Sequence, residues 1–160
     1  MSYFIRIFCQ STQNVTRHEI QEFVLGGIHF DKHPVFIPAF LDPDSSVEDW
    51  GQLDIIYDPD KRPVQVYRNV GDSLVETEIR ELNDLITAGV APDAQQSLLD
   101  AINGAHQIFA IEINREGLSE DAWVMLDSLE AYLAGNLMGL VYAPDDGFYG
   151  SGLQLLYKIG

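Results

Sequence analysis

The chain reads as an α+β protein: one mainly antiparallel sheet with about four helices, arranged as two fused strand–helix–hairpin (ferredoxin-like) halves. Three observations predict it. Two pairs of short apolar runs are joined by turn sequences and read as hairpins. Four stretches carry apolar residues at helical spacing, bounded by helix start or stop signals. The order strand, helix, hairpin occurs in both halves of the sequence. A length of 160 residues suits a single compact domain spanning 1–160. Within it the pseudo-repeat covers 1–70 and 105–160, joined by a helical segment at 75–104.

Tyr3 to Cys9 is aromatic and β-branched with no turn residue, and predicts a strand. Thr16-Arg17-His18-Glu19 fits a capping box, in which the Thr16 hydroxyl accepts from the Glu19 amide. Ile20, Phe23 and Val24 follow on one helical face, stopped by Gly26-Gly27. Val35 to Leu41 predicts a second strand. Pro38 places it at an edge or a bulge, because proline cannot donate to a ladder. An acidic loop runs from Asp42 to Gly51. Leu53 to Tyr57 and Val64 to Tyr67 then form a hairpin around Asp58-Pro59-Asp60-Lys61-Arg62-Pro63.

The middle is helical. Ile79, Leu82, Leu85 and Ile86 form a stripe ended by Gly89 and Pro92. Asp93 is expected to cap a second helix, with Leu98, Leu99 and Ile102 buried and Gly104 as its stop. Ile108 to Ile113 is almost continuously apolar and predicts a central strand. Ser119 caps the longest helix, which buries Ala122, Met125, Leu126, Leu129, Tyr132 and Leu133 and ends at Gly135 or Asn136. Leu140 to Ala143 and Leu153 to Tyr157 are expected to close the chain as a hairpin around Pro144 to Gly152. Ile5-Arg6-Ile7 and Ile111-Glu112-Ile113 set opposite charges at matching places in the two halves. They predict neighbouring strands with Arg6 paired to Glu112.

Charge narrows the function classes. The chain holds 25 Asp and Glu against 9 Lys and Arg, a formal net of −16. Residues 1–80 carry a net −6 and residues 81–160 a net −10. Such a surface repels nucleic acid and anionic lipid and attracts cationic partners. No apolar stretch reaches the roughly 18 residues of a membrane helix. The apolar run at Met1 to Gln10 is too short for a secretory leader. Cys9 is the single cysteine, so no internal disulfide can form. These features lead us to expect a cytoplasmic protein that binds neither nucleic acid nor membrane.

Chemistry-bearing constellations are sparse. His29, Asp31 and His33 can ligate a metal if the segment is extended, yet Lys32 and the flanking glycines favour a polar loop, so no metal is expected. Asp42 to Asp49 resembles a calcium loop only in part, with Val47 where glycine belongs and Leu53 where the bidentate glutamate belongs. Gly147 to Gly152 lacks the lysine and the following helix of a phosphate cradle. No cofactor is expected. Lys61, Arg62 and Arg68 form the one basic cluster, which suits an acidic face of a second copy and so a homodimer.

The leading function is a non-catalytic, acidic protein-interaction module, an inhibitor or immunity-type partner of a basic protein. Its candidate contact residues are Trp50 with Asp44, Glu48 and Asp49, and then Phe148 and Tyr149. The alternative is a small-molecule or metal-dependent enzyme with a cleft between the halves.

Overall fold

A computed structural model describes residues 2–38 and 50–159. The described residues form a single eight-stranded sheet in which every neighbouring pair of strands is antiparallel. In chain order the elements are β1 (Tyr3–Cys9), α1 (Arg17–Gly26), β2 (Val35–Ile37), β3 (Gln52–Ile56) and β4 (Val64–Val70). After them come α2 (Ser73–Gly89), α3 (Pro92–Asn103), β5 (Gln107–Ile113), α4 (Glu120–Leu137), β6 (Gly139–Ala143), β7 (Gly147–Tyr149) and β8 (Leu155–Lys158). The spatial order is β2-β3-β4-β5-β1-β6-β7-β8. The expected α+β class is therefore present, with β5 and β1 at the centre.

The two halves interleave. β4 and β1 both pair antiparallel with β5, so they run parallel to each other with β5 between them. β5 and β6 likewise flank β1. α1 lies between β1 and β4 in the chain, and α4 between β5 and β6. Each strand–helix–strand path thus skips one strand, and that strand comes from the other half. β1 and β5 are neighbours, as their matching charged positions predict. The partners differ: Arg6 Nε meets Glu78 on α2 at 2.9 Å. Glu112 instead receives Arg62 at 3.5 Å and the Tyr67 hydroxyl at 3.1 Å. Arg6 faces Ala110 across the ladder rather than Glu112, and α2 supplies the nearer anion.

Alternation along the strands builds a core on each face of the sheet. Ile5, Ile7 and Cys9 face one side, where they meet Ile20 and Val24 of α1 and Met125, Leu126, Leu129 and Leu133 of α4. Phe23 stacks on Tyr132 at 4.3 Å between ring centres and ties α1 to α4. Phe8, Ile108, Leu140 and Phe148 face the other side, under Val75, Leu82 and Ile86 of α2 and Leu98 and Ile102 of α3. Each fully buried aliphatic or aromatic side chain here contributes roughly 1.5–3 kcal/mol. Asn83 and Asn103 exchange amide hydrogen bonds of 2.8 and 3.2 Å across the α2–α3 hairpin.

Several boundaries follow the local signals. The Glu19 amide donates to Thr16 Oγ1 at 3.1 Å, and the Ala122 amide to Ser119 Oγ at 3.2 Å. Asp93 does not cap α3. Ala91 stands at that position and Pro92 opens the helix, needing no donor at its first turn. Asp93 occupies the first turn, where a carboxylate suits the helix dipole. β2 is the edge strand expected from Pro38, and it ends at Ile37. Pro38 is a bend beyond the strand, and the rest of the expected Val35–Leu41 strand lies outside the described residues, as does most of the acidic loop.

α4 runs past Gly135 and Asn136 to Leu137 and is capped by Met138, whose backbone is left-handed at φ 51° and ψ 55°. This conformation costs a side-chain-bearing residue roughly 1–2 kcal/mol. Met138 is 60% exposed, so little packing offsets that cost. Met138→Gly is expected to raise stability by about 0.5–1 kcal/mol, read as a higher urea midpoint at unchanged slope. A lower midpoint would show that the thioether packs usefully after all.

The C-terminal region is a three-stranded meander, not a simple hairpin. Gly147–Tyr149, expected to be loop, forms β7 between β6 and β8. Gly147 is required there: a Cβ would strike the Tyr157 carbonyl oxygen on β8. No helix of the described residues is long and apolar enough to cross a membrane.

Candidate functional site

Among the clefts of the described residues, two on opposite faces of the sheet differ in their electrostatics. The first, about 350 Å³, lies on the face that α2 and α3 only partly cover. Phe4, Arg6, Tyr67, Asn69 and Glu112 form its floor, and Leu74 and Glu78 of α2 its rim. Every charge in it is matched. Arg6 pairs with Glu78 and lies 5.4 Å from the Phe4 ring centre, and Glu112 is held by Arg62 and Tyr67. Burial, and then the bond to Glu112, push the Tyr67 phenol upward. Such mutual neutralisation leaves little field for a charged ligand.

The second cleft, about 600 Å³, lies on the opposite face, between α4, the start of β1 and the β6–β7 turn. Two acidic residues of α4 line it, Asp127 and Glu130, three positions apart and therefore on one side of the helix. The turn after β6 supplies Asp145 and Asp146. Asp145 has φ 64°, a left-handed conformation that aspartate tolerates better than most residues. The Asp146 amide donates to the Ala143 carbonyl at 3.0 Å, and the Ile159 amide donates to the Asp146 carbonyl at 2.8 Å. The Tyr149 hydroxyl donates to Asp146 Oδ2 at 2.9 Å and orients that carboxylate. Tyr3 donates its hydroxyl proton to the Pro144 carbonyl and so pins the turn to β1. Arg115, the cation among the described lining residues, stacks 3.8 Å from the Tyr3 ring centre. Trp123 and Leu153 complete the wall.

Negative potential accumulates in this cleft. Burial first, then Asp127 and Asp146, push the Glu130 carboxyl up to about 8. Burial raises Asp127 as well. The Tyr3 phenol is raised to about 12, chiefly by burial, with Asp146 and Asp145 adding to it and Arg115 opposing. Tyr149 is raised by burial, its bond to Asp146, and the charges of Asp146 and Glu130. A cation entering the cleft would relieve all of these groups together.

The sequence-predicted contact residues scatter. Tyr149 lines the acidic cleft. Phe148, its neighbour, points to the other face, is 0% exposed and stacks on Tyr142 at 5.0 Å. Strand alternation sends successive rings to opposite sides, so the two do not form a joint anchor. Trp50 is buried as well. Its ring is 5% exposed, and its indole N–H donates to the Val15 carbonyl at 2.7 Å. It pins the end of the acidic loop to the core and offers no ring to a partner. Asp44, Glu48 and Asp49 lie outside the described residues.

His29, Asp31 and His33 sit in an irregular segment, with Asp31 and His33 exposed. Among the described residues no group of three His, Cys, Asp or Glu side chains is arranged to hold a metal ion. Cys9 is buried, and burial pushes its thiol up to about 12, far from a reactive thiolate. The basic cluster is dispersed too: Arg68 is buried under Trp50 and donates to Gln107, leaving Lys61 and Arg62 toward solvent. Sequence reasoning missed Glu130. Its spacing from Leu126 and Leu133 places it on the inward side of α4, and that was the available signal. Comparison of the chain with protein-family models, curated proteins and solved structures finds no match.

Proposed function

We propose that the protein is a non-catalytic, acidic interaction module of the cytoplasm that binds a basic protein, as an inhibitor or immunity-type partner does. The acidic cleft is its contact site. The observation that carries this reading is the gathering of Asp127, Glu130, Asp145 and Asp146 around one cavity with Arg115 as counter-charge. A net of −16 supports it by steering a basic partner toward the surface at long range. The interleaved order β4-β5-β1-β6 supports the ferredoxin-like reading of the halves 1–70 and 105–160. The enzyme alternative draws less support, because Cys9 is buried and the sheet-face cleft has its charges paired.

The test begins with capture from host lysate at low and high salt, using wild type and Asp127→Asn/Asp145→Asn/Asp146→Asn side by side. A basic protein retained by the wild type, released by salt and lost by the triple variant is the expected result. With the purified pair, the variant should associate on the order of tenfold more slowly at low salt and show a flatter salt dependence. An association rate equal to wild type at every salt concentration would reject the cleft as the contact site. Capture of a second copy instead would redirect the reading to self-association.

A further inference from the structure

We infer that the acidic cleft is a socket for one basic side-chain head, an arginine guanidinium or lysine ammonium presented by the partner, with Glu130 as its innermost anion. The inference rests on the proposed function and assigns the chemistry of that same site.

Glu130 is only 7% exposed, lines the cleft, and has no hydrogen bond or ion pair among the described residues. Buried carboxyls are costly without a partner, and a ligand is the natural source of one. The groups around it come from three elements: Asp127 on its own helix, Asp145 and Asp146 on the β6–β7 turn, and Tyr149 on β7. Arg115 and Tyr3 share the cleft, and Arg115 is spent on the Tyr3 ring. That stacking is an internal example of how a guanidinium lies in this cavity. Trp123 and Tyr149 add aromatic side chains to the lining, a composition suited to an organic cation. A bare metal ion fits less well, since no three ligands converge and the cavity measures about 600 Å³.

A proton consequence follows. Glu130, held up near 8, keeps its proton at neutral pH when the cleft is empty. A cation favours the ionised form, so its entry expels that proton. Affinity should climb as pH rises toward 8, by at most tenfold per unit, and level off above it.

The experiment uses the full chain and the singly charged probe N-acetyl-arginine methylamide. Carboxyl carbon NMR follows Glu130 across the pH range with and without saturating probe. The expected result is a Glu130 midpoint at least one unit lower with probe, a tenfold or greater preference of the cation for the ionised form. Glu130→Gln, which preserves the side-chain shape, should abolish the proton release seen by calorimetry in two buffers of different ionisation heat. A Glu130 midpoint unmoved by probe overturns the inference, as does proton release that persists in Glu130→Gln. Failure here, with partner association still dependent on Asp127, Asp145 and Asp146, would sink the socket and spare the proposed function. A working socket with partner association indifferent to those residues would do the reverse.

Discussion

Glu130→Gln stabilises the protein, and the gain is largest at mildly alkaline pH. Burial and the charges of Asp127 and Asp146 carry the Glu130 carboxyl from an ordinary 4.5 up to about 8 in the folded state. Below 4.5 the group is neutral in both states, and the elevated value costs nothing. As pH rises, the unfolded chain sheds this proton while the folded chain retains it, so stability falls until pH passes about 8. At about 1.4 kcal/mol per unit, the total loss is on the order of 5 kcal/mol. Glutamine has the same shape and no charge to desolvate. Unfolding free energies of the two proteins from urea titration should therefore agree within about 1 kcal/mol near pH 4.5 and diverge by several kcal/mol near pH 8. Equal differences at both pH values would show that Glu130 titrates normally.

A penalty of that size is large beside the roughly 5–15 kcal/mol that holds a domain folded. Leucine at position 130 would extend the buried side of α4 that Leu126, Leu129 and Leu133 already form. A carboxyl that weakens the fold and finds no internal partner is the pattern expected of a binding site, where local stability is traded for an interaction made in the complex. The sheet-face cleft shows the contrary pattern, since Arg6, Glu78, Arg62 and Glu112 neutralise one another there.

The elements most legible in the sequence are those whose signals are local. β1 matches its expected limits of Tyr3 and Cys9, and Thr16 and Ser119 cap the helices they were expected to cap. The departures occur where tertiary contacts outrank local preference. α4 passes through Gly135 and Asn136 because Ala134 and Leu137 bury against the sheet and carry the helix on to its cap at Met138. β7 is only three residues long, too short for any periodicity, and exists because β6 and β8 pair with it from both sides. The candidate site was the least legible part. Asp127 and Glu130 sit on a helix, Asp145 and Asp146 on a distant turn, and only the closing of β6 beside β1 brings the four together. Read one at a time, Asp145 and Asp146 are turn residues and Glu130 is a helix former.

Trp50→Ala is expected to cost about 3–5 kcal/mol, as large aromatic truncations in a core do. The indole is nearly enclosed, lies 6.1 Å from the Phe109 ring centre and has the Arg68 guanidinium 5.9 Å from its own. Its N–H bond of 2.7 Å to the Val15 carbonyl fastens the segment entering α1 to the start of β3. Trp50→Phe separates the two contributions, because it keeps most of the apolar contact and strands the Val15 carbonyl. That variant should lose about 1–3 kcal/mol, the penalty for a buried polar group without its partner. Folded Trp50→Phe protein should still bind the basic partner at the wild-type association rate, since the ring is 5% exposed and does not line the acidic cleft. A Trp50→Phe protein with unchanged urea midpoint and slowed association would restore Trp50 as a contact residue and remove it from the core. The stability loss without a binding loss is expected because tryptophan beside acidic residues reads the same in sequence whether it anchors a partner or a loop, and the buried hydrogen bond decides for the loop.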